Sequence, residues 1–224
     1  MGYKELKCED LPLPTQSDLW WDYYLKRESS VISRLFQGQL MNSTKCLMCG
    51  HYSYAFDNFM DLSIPIPRAG VRITGQVSIA SCLKEFVKKE RMDKCGYKCE
   101  KCKAVDNFEK EMTIYRFPRV LVLHLKRFYN SFMRREKINT LIDIPMTLDI
   151  AEFAPHSSHP SKEQAQYQLY GISHHSGSLY GGHYVGEVLG DNGKWYDCND
   201  SWVTSTNEPD TNSSSAYVLF YINL

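Results

Sequence analysis

Two short cysteine pairs, Cys46-Leu47-Met48-Cys49 and Cys99-Glu100-Lys101-Cys102, constrain this chain more than any other feature. Two residues between cysteines let both sulfurs and the intervening backbone amides converge on one cation. Two such knuckles complete a tetrahedral set of four thiolates. Residues 50–98 must then loop out and return, which demands a lobe built by long-range pairing. Four thiolates leave no open coordination position, so one Zn2+ on Cys46, Cys49, Cys99 and Cys102 is a structural staple. The rival explanation, four ordinary buried cysteines, makes two separate C-x2-C spacings a coincidence. Cys95, four residues before Cys99, is either a replacement ligand or a free thiol.

The chain of 224 residues contains eight cysteines. Its N-terminus, Met1-Gly2-Tyr3-Lys4-Glu5, is no signal peptide and lacks the Ser or Thr of a myristoylation site. Disulfides then give way to metal binding or catalysis, and a reducing intracellular setting, cytoplasmic or nuclear, is expected. In such a setting Asn42-Ser43-Thr44 and Asn212-Ser213-Ser214 are chance matches to the glycosylation pattern. Net charge is zero, so no global field steers the chain toward nucleic acid or membrane. No apolar run is long enough to cross a bilayer. Lys45, Lys94, Lys98, Lys101 and Lys103 surround the knuckles, and a nucleic-acid-binding zinc ribbon is one alternative reading. Asp93 and Glu100 dilute that basic patch.

A hydrophobic fraction of 43% supports a sizeable core. Residues 3–17 read as a Pro-bearing loop. Ser17 or Asp18 caps a helix through Trp20, Trp21, Tyr24, Ile32 and Phe36, stopped at Gly38. Residues 39–66 alternate as strands, 67–76 form a loop, and Val77 to Glu90 reads as a helix. Val120-Leu121-Val122-Leu123-His124-Leu125 is nearly continuously apolar, the mark of a strand buried on both faces. His124 within it is structural. Residues 153–166 form a polar surface loop. Strands follow at 167–173, 183–188, 194–198 and 216–222, with an Asp191-Asn192-Gly193 hairpin corner. The fold class is α+β.

The C-terminal third carries the chemistry. His183 follows Gly181-Gly182 and precedes Tyr184, and Asn199-Asp200 ends the strand after the next hairpin. A histidine presented at a strand start can act as general base for a thiol, provided a partner fixes its tautomer. Asn199 and Asp200 can both reach it. The bland alternative is a histidine merely hydrogen-bonded within a sheet.

These residues resemble a known family. Leu169-Tyr170-Gly171-Ile172-Ser173-His174-His175-Ser176-Gly177, Gly181-Gly182-His183-Tyr184 and Trp195-Tyr196-Asp197-Cys198-Asn199-Asp200-Ser201-Trp202-Val203 are similar to the histidine box of the ubiquitin-specific proteases. Leu35-Phe36-Gln37-Gly38-Gln39-Leu40, Phe56-Asp57-Asn58-Phe59-Met60-Asp61-Leu62 and Phe117-Pro118-Arg119-Val120 through Lys126-Arg127-Phe128 agree in order and spacing from about Trp20 onward. The resemblance implies a papain-like fold of thumb, palm and fingers, the zinc-bearing β lobe being the fingers that grip ubiquitin. It implies His183 as general base, Asn199 as its orienter and Asp200 as an accessory. It also implies His175, Gly177, Gly181, Gly182 and Tyr184 as the lining of a channel for ubiquitin's Gly-Gly tail.

By the same resemblance, residues 1–224 are a partial catalytic domain. Residues 18–37 join a thumb remnant to the fingers, 38–116 are the fingers with an inserted helix, and 117–224 are the palm. The family's nucleophile block, Gly-Leu-x-Asn-Leu-Gly-Asn-(Thr/Ser)-Cys-(Tyr/Phe)-Met, does not occur here. Cys8 lacks its context, Cys82 sits in an amphipathic stretch, and alternation points Cys198 away from the site. The expectation is a deubiquitinating thiol-protease domain whose cysteine-bearing thumb segment is truncated or separate, and which is inactive alone. A non-catalytic ubiquitin-binding pseudo-protease is the alternative.

Overall fold

The computed structural model describes residues 6–67, 76–94, 96–130, 135–155, 165–178 and 180–224. Cys95, most of the 67–76 loop and much of the 153–166 loop lie outside the described residues. The chain begins with helices α1 (Leu13–Arg27) and α2 (Val31–Phe36), then strands β1 (Gly38–Cys46), β2 (Tyr52–Phe59) and β3 (Leu62–Pro65). There follow β4 (Val77–Ser78), α3 (Ile79–Phe86), β5 (Glu90–Met92), β6 (Phe108–Arg116), β7 (Val120–Lys126), β8 (Phe128–Asn130) and β9 (Arg135–Lys137). The last part holds β10 (Ile142–Asp143), β11 (Thr147–Asp149), β12 (Gln166–Ser178), β13 (Gly181–Leu189), β14 (Trp195–Asn199), β15 (Trp202–Thr206), β16 (Asn212–Ser213) and β17 (Ala216–Asn223). The architecture is α+β, as expected, and the elements fall into two compact units.

The first unit holds residues 1–60, 87–118 and 151–163. Its sheet runs in the order β2-β1-β6-β5, all antiparallel. Alternation along β1 and β2 buries Met41 and Phe56 with Tyr115, and Leu13, Trp20 and Tyr54 pack on that cluster. The expected single helix over 18–37 is two helices, and it starts earlier. Pro14 sits in the first turn of α1, where its missing N–H costs nothing, so the helix begins at Leu13. Ser17 is no cap: it is buried and donates to Gln39 Oε1 at 2.6 Å, and Arg116 Nε donates to both at 3.2 Å. Ser30 breaks the helix and opens α2 through a reciprocal capping box with Ser33. Gly38 is not a left-handed stop. It opens β1, where a Cβ would meet the Phe59 ring at 2.3 Å and the Arg116 carbonyl at 2.9 Å.

The second unit holds residues 61–86, 119–150 and 164–224. Its main sheet runs β15-β14-β13-β12-β17-β7-β3, with β11 also pairing β12. All these pairs are antiparallel except β3 on β7. The apolar run 120–125 forms β7, paired on both sides by β17 and β3 but next to the end of the sheet. Leu121, Leu123 and Leu125 are fully buried with Leu219 and Tyr221, while Val122 and His124 are half-buried, so the strand alternates rather than being buried on both faces. Burying each such leucine is worth about 2 kcal/mol. The helix expected from Val77 to Glu90 is shorter. Val77–Ser78 pairs in parallel with Ile142–Asp143, and Glu90–Met92 pairs with β6, so strand pairing claims both ends. Ser78 and Ser81 exchange capping bonds at the start of α3, whose Ile79, Cys82 and Leu83 are buried. β3, β4 and α3 thus pack in this unit rather than within the 38–116 lobe.

Candidate active site and candidate metal centre

The metal centre is built within the first unit. Antiparallel pairing of β1 with β6 sets Cys46 opposite Phe108, and this register returns the chain to the first knuckle. Left-handed turns at Gly50 and Lys103 follow the two pairs. Gly50 and Lys103 donate backbone bonds to the Cys46 and Cys99 carbonyls at 2.8 and 3.0 Å, closing each knuckle. The four Sγ atoms of Cys46, Cys49, Cys99 and Cys102 lie within 4.8 Å of one another, with Cys46–Cys102 and Cys49–Cys99 at 3.7 Å. A tetrahedral ion with bonds of about 2.3 Å requires sulfurs about 3.8 Å apart, so the cluster fits one. Cys46 and Cys99 are buried against Phe108 and Met92, while Cys49 and Cys102 are exposed. The sulfurs also influence one another's ionisation. The Cys102 and Lys101 backbone amides help lower the Cys99 thiol to about 6. Cys102 accepts from the Ala104 amide, yet the neighbouring Cys49, Cys99 and Cys46 sulfurs push its thiol up. Four sulfurs this close ionise together only when a metal neutralises them.

The histidine box lies in the second unit. β13 carries His183, and β14 pairs beside it with Gly186 opposite Cys198. Period-two alternation then puts His183, Glu187, Asp197 and Asn199 on one face, with Tyr184, Gly186 and Cys198 on the other. His183 Nε2 lies 2.7 Å from Asn199 Oδ1. An amide oxygen only accepts, so Nε2 donates to it, and in the neutral ring this leaves the lone pair on Nδ1. Asn199 is therefore brought to His183. Asp200 is not: it occupies the two-residue turn between β14 and β15 at φ 51°, exposed, without a hydrogen bond to the imidazole.

The five expected channel residues lie together on the β12–β13 hairpin. His175 is opposite Tyr184, and Gly177 is opposite Gly182. His175 is buried among Phe128, Tyr184 and Tyr217, with ring centroids 5.4, 4.8 and 5.8 Å away. Burial, then the Lys137 ammonium, pushes its pKa down. Gly182 is required beside it, since a Cβ there would lie 2.3 Å from His175 Nε2. Gly177 adopts φ 123°, and a Cβ would lie 2.5 Å from the Gly181 carbonyl. Gly181 opens onto free space, and Tyr184 is half exposed. None of these side chains is long enough to block a thin extended chain except the two rings.

Two buried groups escaped the sequence reading. His174 Nε2 bonds Glu187 Oε2 at 2.9 Å, and its Nδ1 meets Ser215 Oγ at 3.0 Å. Glu187 also accepts the Asp210 N–H at 3.0 Å. Burial would raise the Glu187 carboxyl, but the bonds from His174 and Asp210 outweigh it and hold it low. The only signal in the sequence was an acid in the otherwise uncharged run His183 to Leu189. Arg127 is fully buried and donates to the carbonyls of Ala216, Ile138, Thr140 and Ser213 at 2.5, 2.9, 3.0 and 3.1 Å. Burial lowers it to about 10. His124, as expected, is structural: Nδ1 meets Ser63 Oγ at 3.0 Å, and its ring packs edge-on to Tyr217.

The model of the ubiquitin carboxyl-terminal hydrolase family matches residues 4–221. Ubiquitin carboxyl-terminal hydrolase 2 of Gallus gallus is 41% identical over 216 residues, covering 95% of this chain and 58% of that protein. Ubiquitin carboxyl-terminal hydrolase 21 of Bos taurus is 39% identical over 223 residues, covering 99% and 38%. Among solved structures, the SAGA Ubp8/Sgf11/Sus1/Sgf73 DUB module bound to ubiquitin aldehyde is similar with a TM-score of 0.75. That match is 26% identical and covers 95% of this chain and 47% of the other. The same module bound to monoubiquitin gives a TM-score of 0.73 at 27% identity, covering 92% and 48%. The chain thus spans between about a third and three-fifths of the length of its curated relatives.

Proposed function

The chain belongs to the ubiquitin carboxyl-terminal hydrolase family, and from that premise we propose that it is the fingers and palm of a deubiquitinating thiol-protease domain. It would serve hydrolysis of the amide or isopeptide bond after ubiquitin's last glycine. The observation that carries this reading is the 2.7 Å bond between His183 and Asn199. With the proton fixed on Nε2, Nδ1 is free to take a proton from a thiol and later to deliver it to the leaving lysine amine. Asn199 holds the ring in that orientation as the charge develops. Asp200, one residue on, is kept as an accessory of the same site. His175 and Tyr184 would wall the diglycine channel, with Gly177 and Gly182 allowing the hairpin to pack closely behind it and Gly181 open to space, which excludes larger tails by size.

Zn2+ is the ion proposed for Cys46, Cys49, Cys99 and Cys102, because four thiolates in tetrahedral array are its usual structural set. It supplies cross-linking of the first unit and takes no part in the chemistry. No described cysteine forms a disulfide. No described helix is long and apolar enough to cross a membrane.

We further propose that the nucleophile comes from a segment outside these 224 residues. Cys8 is buried and its thiol is raised by burial and Glu9, and Cys82 is buried with a thiol pushed up to about 12. Cys198 lines an apolar cleft of about 410 Å³ with Ile172, Val188 and Phe220. The test is intact-mass analysis after incubation with ubiquitin bearing a C-terminal thiol-reactive electrophile, with binding of ubiquitin followed in parallel. Binding without an adduct is expected, and adding a cysteine-bearing segment in trans should restore turnover. A one-to-one adduct lost in His183→Ala would overturn the separate-nucleophile proposal. Binding with no turnover under any complementation would favour the pseudo-protease.

A further inference from the structure

Trp202 is the cross-strand partner of Asn199 on β14–β15, so the two α-carbons lie about 5 Å apart and their side chains share a face. Its indole is 77% exposed, and no ring or hydrogen-bond partner engages it among the described residues. Among the described residues β15 is the edge strand of the sheet. His183 therefore has unlike neighbours on its two sides. On the β12 side lie the hairpin glycines Gly177, Gly181 and Gly182, of which Gly181 faces open space. Toward β15 lies an exposed indole.

The geometry points to Trp202 as a specificity-determining residue that receives the leaving side of the substrate, the polypeptide around the acceptor lysine. This rests on the deubiquitinase reading. The amine released must come to the imidazole of His183 for its proton. The glycine side takes the acyl half, so the lysine stem and its flanking residues leave past Asn199 and over Trp202. The indole face suits that cargo. It packs on the lysine methylenes and on extended backbone, and its negative π face attracts the ammonium once formed.

Two probes separate the halves of the substrate: ubiquitin ending in a C-terminal methylamide, and ubiquitin joined through its last glycine to the lysine of a short peptide. Fluorescence anisotropy with the zinc-loaded chain should give the peptide conjugate an affinity about fivefold higher than the methylamide. Trp202→Ala should abolish that ratio and leave methylamide affinity unchanged, while Trp202→Phe should keep part of it. Circular dichroism confirms that each variant is folded. A ratio identical in wild type and Trp202→Ala, or a ratio of one in wild type, overturns the assignment while the deubiquitinase reading stands. Binding of neither probe overturns both.

Discussion

The proton on His183 has one acceptor, Asn199 Oδ1, and removing it frees the ring to flip and tautomerise. Asn199→Ala should convert a single Nε2–H species in 15N spectra into a mixture. In a domain completed with its cysteine, the rate should fall by ~10²–10⁴. A single unshifted tautomer in the variant would show that another group orients the ring. Other histidines govern acid stability. Burial holds His124 and His175 below their ordinary pKa, while the unfolded chain protonates them near about 6.5. Their contribution is complete above about pH 6.5 and is lost as pH falls toward their lower folded values. Glu187 is likewise depressed, so its contribution is present above about 4.3, its unfolded value, and is lost below that. The urea midpoint should drop in two stages on acidification, and His124→Gln should flatten the first.

Elements show where local preference yields to pairing. The alternating or apolar runs at 52–56, 120–125 and 216–222 are strands, because one periodicity serves both local geometry and burial. The stretch 77–90 has helical periodicity, but its ends are claimed by β10 and β6, leaving only Ile79–Phe86 helical. Likewise the 18–37 helix divides at Ser30, whose capping box with Ser33 outweighs continuity. The second knuckle is tied down by a few local backbone bonds and the Tyr97–Phe108 ring contact, and the four sulfurs are the link between the two knuckles that a metal would lock. Chelation should therefore remove amide protection at 46–50 and 97–108, measured by hydrogen exchange, with one ion released per chain. Cys49→Ser should reproduce that loss. Unchanged protection would mean that the β1–β6 pairing alone holds the knuckles.

At the scale of the whole molecule, two units have separate cores. Met41, Phe56 and Tyr115 anchor one, and the leucines of β7 with Leu219 and Tyr221 anchor the other. Leu123→Ala leaves a cavity in the second and should destabilise it by about 2–5 kcal/mol, read as a lower urea midpoint. Protection at 120–126 and 216–223 should fall, while metal content stays at one ion per chain. Chelation should do the reverse. If either treatment melts both units together, the cores are energetically one.

The sequence by itself determined the cysteine cluster, the apolar strand 120–125, the histidine and its candidate orienters, because each is written in neighbouring residues. Spacing within a knuckle, period-two alternation and glycine next to histidine are local facts. Only the tertiary structure decided which candidates meet. Cys46 and Cys102 come within 3.7 Å because β1 and β6 pair in one register. Asn199 rather than Asp200 reaches His183 because strand alternation gives Asn199 the shared face and leaves Asp200 in the turn. His174, Glu187 and Ser215 meet across strands that no spacing relates. Such contacts arise from long-range hydrogen-bond register and packing, which residues near in sequence do not encode.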